Sequence, residues 1–176
     1  MFDIYNMFET LEDMLIDYDW KPNNKPKTTN MRKGQYSENV GLTCHWAKPN
    51  KPMLPSRAML ENDAEIYNEC KRLFPDLEFD CVMINKNFQC PPHKDTNNKG
   101  DSVIIGFGDY SGGELCIENE VHDIYWTPLM FNGSEKLHWV LPWEGDRYSV
   151  VLCQSKFMSM IKSALQPPVL PGEQTQ

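Results

Sequence analysis

His93 and Asp95 stand two positions apart, His138 follows well downstream, and Arg147 and Ser149 come close behind it, again two apart. On an extended backbone residues i and i+2 point to the same face, so the imidazole of His93 and the carboxylate of Asp95 can grip one ion. A second strand has to deliver His138. Two imidazoles and one carboxylate on one side of a metal leave positions open on the other, the donor set that suits non-haem ferrous iron working with dioxygen. Arg147 and Ser149 share a face by the same rule. A guanidinium fork beside a hydroxyl is suited to clamping a distal carboxylate such as the one 2-oxoglutarate presents. His93, Asp95 and His138 are thus the candidate metal ligands and catalytic centre. Arg147 and Ser149 are the candidate co-substrate contacts, with Asn85 added to them as a polar residue at a strand end.

These side chains need strands to hold them. Phe79-Asp80-Cys81-Val82-Met83-Ile84-Asn85 is a short apolar run rich in strand formers, and Pro91-Pro92 enforces extended geometry just before His93. Ser102 to Phe107 reads as a buried strand and Glu114 to Glu118 as a half-buried one, with Gly112-Gly113 as the turn between them. Phe131-Asn132-Gly133-Ser134 is a turn that lets the chain enter the strand of His138. Glu144-Gly145-Asp146 reads as a hairpin leading into Arg147 and Tyr148 to Leu152. Several short strands punctuated by turn signals predict a sandwich or barrel.

From about Gly41 to Gln154, roughly two thirds of the chain, the sequence resembles the TET/JBP-like branch of the Fe(II)/2-oxoglutarate-dependent dioxygenases. The segments that carry the resemblance are Asn85-Lys86-Asn87-Phe88, Pro92-His93-Lys94-Asp95, Ile105-Gly106-Phe107-Gly108-Asp109-Tyr110-Ser111-Gly112-Gly113-Glu114-Leu115 and Gly145-Asp146-Arg147-Tyr148-Ser149. The resemblance implies a mainly β fold with flanking helices, a double-stranded β-helix of the jelly-roll, cupin-like kind. It implies Fe(II) on His93, Asp95 and His138, and 2-oxoglutarate on the metal with Arg147 and Ser149. O2 is the second co-substrate and ascorbate a reductant. The implied reaction hydroxylates a C–H bond, with the methyl group of a modified pyrimidine in nucleic acid as target and succinate and CO2 as by-products. A substrate-reading asparagine in a His-x-Asp-x-x-Asn pattern falls on Asn98. The chain departs from the animal members in having no cysteine-rich zinc module and no long insert between Asp95 and His138. The wider superfamily also hydroxylates protein side chains and small molecules, so that alternative stays open. A non-catalytic metal-binding barrel is a further alternative, against which the Arg147-x-Ser149 clamp speaks.

Length and charge bound the partners. At 176 residues, one catalytic domain over 1–165 is expected, with a helical and basic-loop part at 1–75, a β-helix core at 76–155 and a disordered Pro- and Gln-rich tail at 166–176. The net charge is −8, yet residues 21–57 hold eight bases against the single acid Glu38. That basic segment, with Tyr36 and Trp46 among the charges, is a candidate nucleic-acid surface, and Arg57 joins Asn98 as a candidate substrate contact. The competing reading is a solvated loop. No apolar stretch reaches the roughly 18 residues of a membrane helix, and no leader is apparent, so an intracellular location is expected. The oligomeric state is not readable from the sequence.

Phe8, Leu11, Met14 and Leu15 follow helical spacing and predict an amphipathic helix that packs on the sheet. A second helix begins either after Ser56 or near Asp63, ends before Pro75, and buries Ala64, Tyr67, Leu73 and Phe74. The six cysteines lack metal-type spacing and read as reduced thiols, with Cys81, Cys116 and Cys153 in strands. His45 reads as structural or near the substrate, and His122 as exposed in a polar turn.

Overall fold

The computed structural model describes residues 7–21, 34–43, 53–61 and 63–157. In chain order the elements are α1 (Glu9–Ile16), β1 (Tyr36–Asn39), β2 (Leu42–Thr43), β3 (Leu54–Pro55), α2 (Arg57–Leu60), α3 (Ala64–Leu73), β4 (Cys81–Lys86), β5 (Ser102–Gly112), β6 (Leu115–Ile117), β7 (Glu120–His122), β8 (Leu129–Phe131), β9 (His138–Val140) and β10 (Trp143–Cys153). A five-stranded antiparallel sheet runs β1-β4-β10-β5-β8, a three-stranded one runs β7-β6-β9, and β2 pairs with β3. The larger and smaller sheets form a double-stranded β-helix with helices on the outer face of the larger. Among the described residues no helix is long and apolar enough to cross a membrane.

Alternation along the strands decides which side chains meet the helices and which face the smaller sheet. On the helix side, Val82, Ile84, Val103, Ile105, Phe107, Tyr148, Val150 and Leu152 join Phe8, Leu11, Leu15, Ile66 and Cys70 in one cluster. Each fully buried aliphatic or aromatic side chain there contributes about 1.5–3 kcal/mol. Between the sheets, Ile104 meets Leu115, Ile117, Ile124, Phe131 and Val140, with Val151 packed against them. Arg147 and Ser149 share the parity of Val151, so they too point inward.

The expected helix stripe of Phe8, Leu11 and Leu15 is buried as read. Both starts of the second helix occur: Ser56 caps α2, its Oγ accepting the Met59 N–H at 3.3 Å, and α3 follows Asp63. The deepest residues of α3 are Ile66, Glu69 and Cys70, while Tyr67, Leu73 and Phe74 pack at its edge and Ala64 is half-buried. Ile66 and Cys70 lie one turn apart and make the tighter apolar contact, and the inward Glu69 is answered by Arg72 at 2.6 and 2.8 Å.

Three strand expectations change. Glu144-Gly145-Asp146 is not a hairpin but lies within β10, paired with Ser111, Tyr110 and Asp109 of β5. A polar, glycine-bearing stretch looks like a turn by composition, and only its long-range partner makes it strand. Leu141-Pro142 instead carries the chain from β9 in the smaller sheet to β10 in the larger. β6 is buried throughout rather than half-buried, because it is the middle strand of its sheet. His122 sits on β7, 3.9 Å from Glu120, and is only partly exposed. Gly112-Gly113 forms the expected turn with φ of +80° and +72°.

The chain beyond β10 returns to clasp the loop after His93. Lys99 N–H donates to Gln154 O at 2.8 Å, Lys156 N–H to Asn97 O at 3.0 Å, and Asn98 bridges Ser155. Ser155 N–H in turn donates to Asp80 Oδ1 at 2.8 Å. The bases between Lys25 and Lys51, Trp46, His45 and the 166–176 tail lie outside the described residues.

Candidate metal centre and co-substrate pocket

His93 lies in no regular strand. Pro91-Pro92 brings it up extended, and a single bridge pairs it with His138: each N–H donates to the other's carbonyl at 3.0 Å. The two rings consequently stand side by side, centroids 4.2 Å apart. Asp95 is fixed by its N–H, which donates to Gly133 O at 2.8 Å in the turn after β8. Its Oδ1 lies 3.3 Å from His93 Nε2 and its Oδ2 3.5 Å from His138 Nε2. The three donor atoms all lie within 4.8 Å of one another. Ligands at about 2.0–2.2 Å from one ion stand at such separations, so the cluster fits a metal with little rearrangement.

A second set of contacts aims the rings. His93 Nδ1 lies 2.9 Å from Pro91 O and His138 Nδ1 3.0 Å from Lys136 O. A carbonyl can only accept, so Nδ1–H donates in both, and Nε2 is the nitrogen left to face Asp95 and an ion. The hydrogen bond to Asp95, then one to Cys90, lifts the His93 pKa to about 10 against the effect of burial. Burial alone pushes the Asp95 carboxyl up, but hydrogen bonds from His138 and His93 outweigh it and hold the group below the usual carboxylate range. The Asp95 carboxylate is thus held as an anion beside a His93 ring that favours its protonated form. Gly133 keeps the space beside the cluster open: a Cβ there would stand 3.0 Å from Asp95 Oδ2 and 3.4 Å from His138 Cε1.

Across from this cluster, on the inner face of the larger sheet, Arg147 is buried to 1% exposure. Its Nε donates to Gly113 O at 3.1 Å, whereas Nη2 is buried with no hydrogen-bond partner. No carboxylate among the described residues lies within ion-pair distance of it, and burial lowers its pKa. Ser149 accepts from Asn85 Nδ2 at 3.2 Å, so both of these expected residues meet in the same inner column. The Tyr110 hydroxyl, also buried without a partner at hydrogen-bond distance, interacts with the guanidinium and opposes the lowering of its pKa by burial. Its ring lies 5.5 Å from the Arg147 guanidinium, as does that of Trp143 on another side. A Cβ on Gly106 would collide with the Tyr110 hydroxyl, so that glycine makes the room the tyrosine fills. A buried guanidinium with an idle N–H, two residues along the strand from the Ser149 hydroxyl and near the Tyr110 phenol, has the chemistry to receive a carboxylate.

Gly113 sets the position of Arg147 twice, through its carbonyl and through its missing side chain. A Cβ there would lie 2.8 Å from Arg147 Nε and 2.9 Å from Cδ, at a φ of +72° that L side chains rarely adopt. Gly113→Ala is therefore expected to lower stability by about 1–3 kcal/mol and to weaken diacid binding while sparing metal binding. Thermal unfolding and titrations with each ligand check this; unchanged diacid affinity in a folded variant would refute the placement.

The structure does not bring Asn98 or Arg57 into this group. Asn98 is held by backbone, its N–H donating to Asp95 O at 2.8 Å in the clasped loop. Arg57 is exposed on α2 and pairs with Glu61 at 2.6 Å, next to Ala58, which packs into the helix-side cluster behind the larger sheet. Sequence reasoning missed Tyr110, Gly113 and Cys90 as pocket residues. The Cys90 sulfur lies 3.3 Å from His93 Nδ1. The clue for Tyr110 was its alternation with Gly106 and Gly108, an inner face emptied of side chains beside one large ring.

No protein-family profile matches the sequence, and no curated protein matches it. Among solved structures, a 2OG-Fe(II) oxygenase family oxidoreductase from Burkholderia pseudomallei aligns over 88% of this chain and 79% of its own, at 14% identity and a TM-score of 0.55. NgTET1 in complex with 5mC DNA aligns over 88% of this chain and 68% of its own, at 14% identity and a TM-score of 0.57. At that identity the likeness is one of fold.

Proposed function

We propose that the chain is an Fe(II)- and 2-oxoglutarate-dependent dioxygenase that hydroxylates a C–H bond. The observation that carries this reading is a two-histidine, one-carboxylate cluster in the same fold as the buried, inward-facing Arg147, whose Nη2 has no partner. An inert barrel has no use for an unpaired guanidinium, because burying one without a counter-charge costs several kcal/mol. The fold shared with the 2OG-Fe(II) oxygenase family structure is consistent with it.

His93, Asp95 and His138 hold the metal, and Arg147 with Ser149 and Tyr110 hold the far carboxylate of the diacid. Iron and 2-oxoglutarate bound there supply the activation of dioxygen for oxygen insertion, with release of succinate and CO2. The protein's own work is placement. Asn85 fixes the Ser149 hydroxyl by donating to it, which leaves the hydroxyl proton to point at a carboxylate oxygen. Tyr110 and Trp143 wall the guanidinium from water, strengthening its hold on the diacid. The Nδ1 contacts of both histidines keep the rings from turning as ligands exchange. Under anaerobic conditions, ferrous ion with 2-oxoglutarate is expected to give a weak visible charge-transfer band with this protein.

For substrate, the proposal is the methyl group of a modified pyrimidine in nucleic acid. It is supported by the shared fold with NgTET1, solved with 5mC DNA, and by the bases concentrated between Lys21 and Arg57. Such a base has to leave the stack to reach a metal held between two sheets. Aerobic incubation with iron, ascorbate and 2-oxoglutarate is expected to release succinate faster when DNA containing 5-methylcytosine is added, and to add one oxygen to that base. Turnover stimulated by peptides or free metabolites alone would replace this substrate with the protein or small-molecule class.

A further inference from the structure

Two thiols lie outside the machinery described so far. Cys81 opens β4 and Cys153 closes β10, and the ladder makes them direct cross-strand partners. Partners on antiparallel strands put their side chains on the same face with Cα atoms about 4.5–5.5 Å apart. Disulfides span Cα separations of about 4.4–6.8 Å. The Cys81 thiol donates to Leu42 O at 3.2 Å, and the neighbouring Cys153 thiol together with burial pushes the Cys81 pKa upward. Cys153 is buried at 5% exposure, whereas Cys81 is partly exposed. Among the described cysteines no other two stand in register: Cys70 is on α3, Cys90 beside His93 and Cys116 on β6.

We propose that Cys81 and Cys153 are a redox-responsive dithiol that closes to a cross-strand disulfide under hydrogen peroxide. The Cys81 sulfur attacks one peroxide oxygen, the O–O bond breaks, water leaves and a sulfenic acid remains. The Cys153 sulfur then attacks that sulfur, the S–O bond breaks and a second water leaves. Two thiols lose two electrons and two protons, and the peroxide is reduced to two waters. Cys81 is held as a thiol rather than a thiolate, so closure is slow and answers sustained exposure. The bond ties together the strands that carry Asn85, Arg147 and Ser149, directly before the residues that clasp the loop of Asp95.

The test treats the full chain with hydrogen peroxide, traps free thiols with an alkylating reagent and maps the peptides without reduction. The expected result is a Cys81–Cys153 linked peptide, a fall from six alkylatable thiols to four, full reversal by a dithiol, and slower amide exchange at 97–99 and 154–156. Cys81→Ser and Cys153→Ser should each form no intramolecular link. A dominant link through Cys90 or another cysteine, oxidation to sulfinic acid without a link, or retention of all six thiols would overturn it. The wild-type map alone decides the matter if either variant fails to fold. None of this involves iron or 2-oxoglutarate, so its failure would leave the proposed function where it stands.

Discussion

Arg147→Met is expected to weaken 2-oxoglutarate binding severely while leaving the unliganded protein as stable as before, or more so. The two effects have one cause. Arg147 is 1% exposed, makes one side-chain hydrogen bond to Gly113 O and leaves Nη2 idle, so the free protein bears an uncompensated charge. Replacing buried charged groups by apolar ones of similar volume is neutral or stabilising by about 1–4 kcal/mol. A diacid arriving in the wild type supplies the missing counter-charge, and losing one partner of such a buried pair costs about 2–5 kcal/mol. That corresponds to a weakening between about 30-fold and several thousand-fold. Calorimetry with 2-oxoglutarate and thermal unfolding with and without it read both effects. A variant that unfolds far earlier without ligand, or that keeps wild-type affinity, would show Arg147 to be a structural residue.

Asp95→Asn is expected to produce the complementary loss: metal binding falls by at least about 100-fold at pH 7, the upper end of what disturbing even an outer-shell partner costs. Asp95 is the one carboxylate of the cluster and touches both imidazoles, at 3.3 and 3.5 Å. An amide there presents a neutral oxygen, or an N–H that repels a cation. The substitution should also be visible without metal. In the wild type the raised pKa of His93, about 10, means that its ion pair contributes stability fully below the unfolded value of 6.5 and loses that contribution as pH rises through 10. With Asn at 95 the main cause of the shift is gone, so His93 titrates closer to 6.5 and the stability loss between these pH values shrinks. Isothermal titration with Co(II) and NMR of the imidazole resonances follow the two effects. If Arg147→Met and Asp95→Asn cost metal and diacid equally, the assigned division of labour is wrong.

The legible part of this chain was the part governed by local rules. Phe8, Leu11 and Leu15 announce a buried helix face, Gly112-Gly113 announces a turn, and residues two apart announce a common face. Those rules sufficed to select His93, Asp95, His138, Arg147, Ser149 and Asn85, which the fold gathers into two facing groups. What escaped depends on partners far along the chain. The stretch Glu144-Gly145-Asp146 has turn composition and becomes strand only because Asp109, Tyr110 and Ser111 pair with it. His138 and Arg147 lie in different sheets, since Leu141-Pro142 crosses between them. Asn98 fits a short pattern, yet its loop is shaped by Ser155. Tyr110 gives no local signal, because its placement depends on the space that Gly106 leaves for its hydroxyl.

The clasp between the 97–99 loop and the 154–156 segment has a bearing on biosynthesis. Lys156 N–H reaches Asn97 O across a wide span of sequence, and contacts so distant cannot form until nearly all the intervening chain exists and its sheets have closed. The loop bearing Asp95 is therefore set late in folding. A ribosome-bound fragment ending at Leu152 would already carry every metal donor and still lack the brace that orients one of them, which makes ion capture a step that follows translation of this region.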